Sequence, residues 1–220
     1  MYNRDNRDRR DNRNSGGGFN RGGGGGFQKR RPQFRNDRQP YKPAIAEGYA
    51  LYYIAAVCSD EVNAEVKVFK DYMQKNFGCR AAQKSPAHLT IVPPFKTEEL
   101  TEGQMKNFID TFNIGMVPFD IQLKGFSHFD DRVIFVDIVP NGSLNASEQD
   151  CNKEFLAAFP NVDFKMKPPF NPHVTVATRD IPAGKFDMAW SYFQNQEFDT
   201  SFTCKGFAIL KLKDGKWDPI

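Results

Sequence analysis

Histidine is scarce in this chain, three in 220 residues, at positions 88, 128 and 173. Cysteine is nearly as scarce. Cys58, Cys79, Cys151 and Cys204 lie far apart with no CxxC pair, which argues against a zinc cage and against a small disulfide-stapled scaffold. Such usage implies a reducing, cytoplasmic setting. No apolar run approaches the roughly 20 residues of a membrane span, and the arginine-rich start lacks the apolar region of a secretory signal. The expectation is a soluble chain without a membrane partner.

Acidic residues are thin at the N-terminus. Residues 1–43 hold ten Arg, two Lys and four Asp, a net charge of +8, whereas the remaining 177 residues hold 18 basic and 23 acidic side chains, a net charge of −5. The overall +3 conceals this split. With only scattered aromatics such as Phe19, Phe27 and Phe34 around the run Gly22 to Gly26, residues 1–43 have nothing to bury and should form a disordered tail. Arginines that meet phosphates and planar groups that stack on bases suit non-sequence-specific RNA contact. A solubilising tail is the plainer alternative. Residues 44–220 then make one folded domain.

Two of the three histidines open the same tetrapeptide pattern, His88-Leu89-Thr90-Ile91 and His173-Val174-Thr175-Val176. In a β-strand residues i and i+2 share a face, so each histidine projects with its threonine while the aliphatics turn toward a core. Each strand has a chemical side and a packing side. His128 lacks such a partner and reads as structural.

Around these motifs the pattern predicts a strand over 49–57, a helix capped by Ser59 and stopped by Gly78, and the first His/Thr strand, ended by Pro93-Pro94. Thr97-Glu98-Glu99 opens a second helix bearing Leu100, Met105, Phe108, Ile109 and Phe112, and a strand follows over 117–126. The order then recurs. A strand over 133–138, a helix over 144–159, the second His/Thr strand, a helix over 185–194 and strands over 198–204 and 207–212 complete the chain.

The triplet Lys124-Gly125-Phe126 returns as Lys205-Gly206-Phe207, 36 residues after His88 in one case and 32 after His173 in the other. Two motifs in the same order at similar offsets indicate a diverged tandem repeat, with pseudo-repeats over about 45–128 and 132–212. A pseudo-two-fold pair of lobes would bring both His/Thr strands to one cleft.

Two imidazoles across a cleft suit a reaction in which one proton is removed and another delivered. Phosphodiester cleavage is such a reaction: one histidine deprotonates the attacking hydroxyl or water, the other protonates the departing oxygen, and threonine hydroxyls hold the non-bridging oxygens. No carboxylate-rich cluster sits beside the motifs, so neither metal nor other cofactor is expected.

HLTI at 88–91 within AHLTIVPPF and HVTV at 173–176 within FNPHVTVATRD resemble the 2H phosphoesterases, the family of 2'-5' RNA ligases and RNA 2',3'-cyclic phosphodiesterases. The resemblance spans roughly residues 45–215. It implies an α+β, bilobal fold with two antiparallel sheets flanked by helices around a central cleft, and activity on RNA 2',3'-cyclic phosphate ends or 2'-5' linkages. His88 and His173 would then be catalytic, and Thr90 and Thr175 would bind phosphate. Many members carry an arginine five positions after the second histidine; here that position is Thr178, and Arg179 follows. Strand alternation puts Arg179 on the face of His173, as a further phosphate ligand, if the strand has no bulge.

Lys124 and Lys205 read as solvated strand ends, and Tyr52, Tyr53 and Phe95 as core or rim aromatics. Two alternatives remain beside the RNA enzyme: a phosphodiesterase for a small cyclic phosphate such as that of ADP-ribose, and a non-catalytic RNA-binding module.

Overall fold

The computed structural model describes residues 45–162 and 169–220, so the expectations for residues 1–43 lie outside the described residues. In chain order the elements are β1 (Tyr49–Val57), α1 (Asp60–Phe77), β2 (His88–Glu98), α2 (Glu102–Gly115), β3 (Phe119–Phe129), β4 (Val133–Ile138), α3 (Gly142–Ala158), β5 (His173–Thr178), α4 (Phe186–Phe193), β6 (Asp199–Cys204), β7 (Ala208–Lys213) and β8 (Lys216–Pro219). They make an α+β fold with two four-stranded antiparallel sheets, ordered β2-β1-β7-β8 and β5-β4-β3-β6.

Local chemistry accounts for the boundaries. The Ser59 hydroxyl accepts the Val62 N–H at the start of α1, and Gly78, at φ 74°, takes the left-handed position that ends it. Asn141 caps α3 by accepting the Leu144 N–H at 2.9 Å. On α1, Val62, Val66 and Met73 are buried at helical spacing, as the period predicts.

Four elements differ from the sequence reading. Pro93-Pro94 does not end β2, which runs on to Glu98; the pair falls where the β1–β2 register shifts between Tyr52 and Ile54, on the edge strand of its sheet. An edge strand with a local irregularity tolerates residues that lack an N–H. Because β2 takes up Thr97 and Glu98, the helix starts later: residues 99–101 form a 3₁₀ turn and α2 begins at Glu102. Leu100 is consequently 90% exposed rather than part of the helix's buried stripe. β3 starts at Phe119, leaving Val117 exposed before it, and β8 has no counterpart among the expected strands.

The halves exchange strands. β3, from the first half, sits between β4 and β6, whereas β7, from the second half, pairs with β1. Helices exchange too: α1 packs on β5, and α3 packs on β2. One apolar core runs through both sheets, from Tyr52, Ile54 and Leu89 to Ile121, Val136 and Val174.

Candidate active site

β2 and β5 are the edge strands of their sheets, and they lie against each other. Leu89, Ile91, Val174 and Val176 are buried in the shared core. His88 and Thr90, like His173 and Thr175, are only partly covered and occupy the other face. The structure thus brings both predicted His/Thr pairs to the seam between the sheets.

The two strands share a finer feature. Thr90 pairs with Ala55 and Val92 with Ile54, so Ile91 is an extra residue opposite the partner strand. In the second sheet Thr175 pairs with Phe135 and Ala177 with Ile134, so Val176 is the extra residue. Each motif therefore ends in a bulge at its fourth residue, and two successive side chains, Ile91 and Val92 or Val176 and Ala177, go into the core.

Both imidazoles are held alike. His88 Nδ1 lies 2.8 Å from the Pro86 carbonyl oxygen, and His173 Nδ1 lies 2.8 Å from the Asn171 carbonyl oxygen. A carbonyl only accepts, so Nδ1 carries the proton in each ring and Nε2 is left with a lone pair. Among the described residues neither threonine hydroxyl makes a hydrogen bond.

Aromatic rings surround each histidine. The Tyr53 ring lies 4.9 Å from that of His88, and Trp217 of β8 meets Tyr53 edge-on at 4.7 Å. Phe129 and Phe135 each lie 5.0 Å from His173. The Tyr53 hydroxyl is buried without a hydrogen bond of good geometry among the described residues. Burial pushes its pKa well up, with the nearby Ser85 hydroxyl slightly opposing.

Burial pulls the His88 pKa down to about 4; its bond to Pro86 opposes this, while the charges of Lys70 and His173 add to it. His173 is lowered as well, by burial, with the Asn171 carbonyl and the Asp137 carboxylate working the other way. Each ring is therefore kept neutral near pH 7, and the two are close enough for the charge of one to act on the other.

Arg179 does not take the place that alternation gives it. The bulge at Val176 resets the strand's phase, so Thr178, paired with Val133, follows Thr175 on the chemical face. Arg179 comes after the end of β5, exposed, with a left-handed φ of 64°. His128 is exposed, its Nδ1 2.9 Å from the Asp130 carbonyl oxygen and its ring against Trp190 at 4.7 Å. Lys124 pairs with Asp199 at 3.1 Å, and Lys205 is exposed.

Sequence reasoning misses Tyr53, Trp217, Phe129, Phe135 and Lys70 as neighbours of the histidines. Tyr53 reads as core or rim, and only its place on the strand beside β2 reveals the contact. A concavity of about 830 Å³ lies elsewhere, between α2 and α3, lined by Phe108, Phe112 and Phe159 together with Asp150 and Glu154. It contains no histidine. Among the described residues no group of three His, Cys, Asp or Glu side chains is placed to hold a metal ion, and no helix is long and apolar enough to cross a membrane.

Two antiparallel sheets that meet along edge strands, each bearing a His-x-Thr pair, define the architecture of the 2H phosphoesterases. The model of the 2'-5' RNA ligase superfamily matches residues 59–216, and the chain belongs to that superfamily. Among solved structures, it is similar to TT0787 of Thermus thermophilus at 21% identity and TM-score 0.54, over 77% of this chain and 93% of that one. E. coli LigT complexed with 3'-AMP is similar at 15% identity and TM-score 0.54, over 78% of this chain and 95% of that one. A further crystal structure, of a phosphoesterase, matches at 15% identity and TM-score 0.52 with the same coverage. At these identities the likeness concerns the fold. Among curated protein sequences none matches this chain.

Proposed function

We propose that the protein is a metal-independent phosphodiesterase acting on RNA 2',3'-cyclic phosphate ends or 2'-5' linkages, with His88 and His173 as its acid/base pair. One observation carries the reading: two imidazoles on adjoining edge strands, each with Nδ1 committed to a main-chain carbonyl and a threonine hydroxyl two residues on. The Nε2 of one neutral ring takes the proton of the attacking water or ribose hydroxyl as the new P–O bond forms. The other ring, whose protonation at Nε2 the bound anionic phosphodiester favours, gives its proton to the oxygen whose bond to phosphorus breaks. Thr90 and Thr175 hydroxyls donate to the non-bridging oxygens as negative charge builds there. Displaced from that face, Arg179 is left for a flanking phosphate of a longer substrate.

The +8 charge of residues 1–43 favours RNA over a small phosphodiester. A nucleotide ligand also suits the reading, as in the LigT complex with 3'-AMP. The four cysteines are free and buried, which fits a reducing, cytoplasmic setting.

The test is a panel of 2',3'-cyclic nucleotides, 2'-5'-linked dinucleotides and ADP-ribose cyclic phosphate, assayed with wild type, His88→Ala and His173→Ala. Each substitution should lower turnover about 10²- to 10⁴-fold with an unchanged circular dichroism spectrum, and EDTA should have no effect. Equal turnover by His88→Ala and wild type refutes the proposal. Preferred turnover of ADP-ribose cyclic phosphate moves it to the small-substrate alternative, and binding of RNA ends without turnover of any substrate moves it to the binding module.

A further inference from the structure

Among the described residues Lys70, on α1, is the one charged side chain buried in the fold, only 4% exposed. Among the described residues no carboxylate acts on it. Its charged and titratable neighbours are Lys67 on the same helix, the Cys58 thiol, which burial pushes up to about 12 and so keeps neutral, and His88. Burying an ammonium without a counter-ion is costly, and a methionine would fill similar space without that cost. Burial accordingly lowers the Lys70 pKa to about 8, still protonated at neutral pH. A charge held at such expense calls for a task.

Its hydrogen bond indicates the task. Lys70 Nζ donates to the Ser85 carbonyl oxygen at 3.1 Å. The next carbonyl, that of Pro86, receives His88 Nδ1–H at 2.8 Å. The Ala87 N–H donates to Asn63 Oδ1 at 2.7 Å, and the Ala87 carbonyl accepts the Cys58 N–H at 3.0 Å. Proline has no N–H, so the main chain of Pro86 and Ala87 has every polar group engaged, and Lys70 fixes the carbonyl just before them. Two of these bonds come from α1 side chains on one face, two turns apart, at positions 63 and 70. For His173 the described residues show only the Asn171 carbonyl bond to the ring, with no helix side chain on the main chain of Asn171 or Pro172.

We infer that Lys70 and Asn63 are positioning residues for His88: from α1 they clamp the Ser85–Ala87 main chain, which orients the imidazole and keeps its proton on Nδ1. The ammonium also repels a proton from the ring, adding to burial in keeping His88 neutral. This inference rests on the catalytic reading of His88 for its consequence in turnover, but not for its structural content.

The experiment follows the three imidazoles by long-range ¹H–¹⁵N correlation NMR, assigned with His→Gln variants, and measures kcat and KM on a 2',3'-cyclic nucleotide across pH. In Lys70→Met, His88 should change from the Nδ1–H tautomer to a mixture and titrate at higher pH, with the tautomers of His128 and His173 unmoved. Turnover should fall about 10- to 100-fold through kcat, KM changing little. Lys70→Gln, which keeps a donor without the charge, should restore the tautomer while His88 still titrates at a higher pH than in wild type. Lys75→Met, an exposed charge removal on the same helix, should behave as wild type. If Lys70→Met does not fold, Asn63→Leu decides, since it removes the second bond of the clamp and should mix the His88 tautomer in the same selective way.

An unchanged His88 tautomer in the folded variant overturns the inference, as does an equal shift of all three histidines. Should the wild-type protein turn over no substrate, the functional proposal falls while the NMR result still decides the positioning role.

Discussion

An imidazole that gives its Nδ1–H to a main-chain carbonyl has one nitrogen left for chemistry, and both His88 and His173 are in that state. Their titration should be visible in stability as well as in turnover. For His88 the folded pKa, about 4, lies below the unfolded value near 6.5. Between those values the unfolded chain binds more protons, so stability is full above about pH 6.5 and is lost as pH falls toward 4. By pH 5 the loss from this one residue is about 2 kcal/mol. Thermal unfolding between pH 7 and 5 should therefore be steeper in pH for wild type than for His88→Gln; parallel curves would show that His88 is not depressed. A bound phosphodiester is an anion and raises both imidazole pKa values, so the pH profile of kcat should lie to the alkaline side of that of kcat/KM. The motifs are legible because strand periodicity is local: two residues on means the same face. Tyr53 is not, because its contact with His88 depends on cross-strand register, and Arg179 is misplaced because the bulge at Val176 has no composition signature.

At the scale of elements, the repeated Lys-Gly-Phe triplet covers two different physical needs. Gly125 lies in β3 with φ +69°, a left-handed conformation that disfavours any side chain, and has open space where a Cβ would go. Gly206 has no such φ; a Cβ there would meet the Asn113 side chain at 2.7 Å. That asparagine binds the adjoining Phe207 twice, Nδ2 donating to the carbonyl at 2.9 Å and Oδ1 accepting the N–H at 2.8 Å. Gly206→Ala should cost about 1–3 kcal/mol in denaturant unfolding through this overlap. Gly125→Ala should cost about 1–2 kcal/mol through backbone strain. Relief of the Gly206→Ala defect by adding Asn113→Ala, with no relief for Gly125→Ala, would distinguish the two causes. Most helices and strands can be read from apolar spacing and caps, as at Ser59 and Gly78. β8 escapes although Asp214-Gly215, both at positive φ, is a two-residue hairpin signal between Lys213 and Lys216. Its short, mostly exposed strand, Lys216–Pro219, offers little alternation to detect.

Across the whole molecule, charge is divided between the N-terminal 43 residues and the rest. If residues 1–43 hold RNA by its phosphates, deleting them should weaken oligonucleotide binding and flatten its salt dependence while leaving turnover of a cyclic mononucleotide within about twofold. Salt titrations of both proteins check this; equal slopes would assign the tail another role. The paired His/Thr strands and their aliphatic flanks are enough to foresee two antiparallel sheets through the family resemblance. Which strand completes which sheet is not legible, because that depends on contacts between residues far apart in the chain.

That exchange of β3 and β7 has a practical outcome. Opening the chain at the Asp130–Arg132 turn would yield one piece in which β1 keeps β2 but loses β7, and another lacking the strand between β4 and β6. Neither piece should hold a complete sheet by itself, yet mixing them should restore folded protein and, with it, both histidines at one seam: a split reporter whose signal depends on reunion.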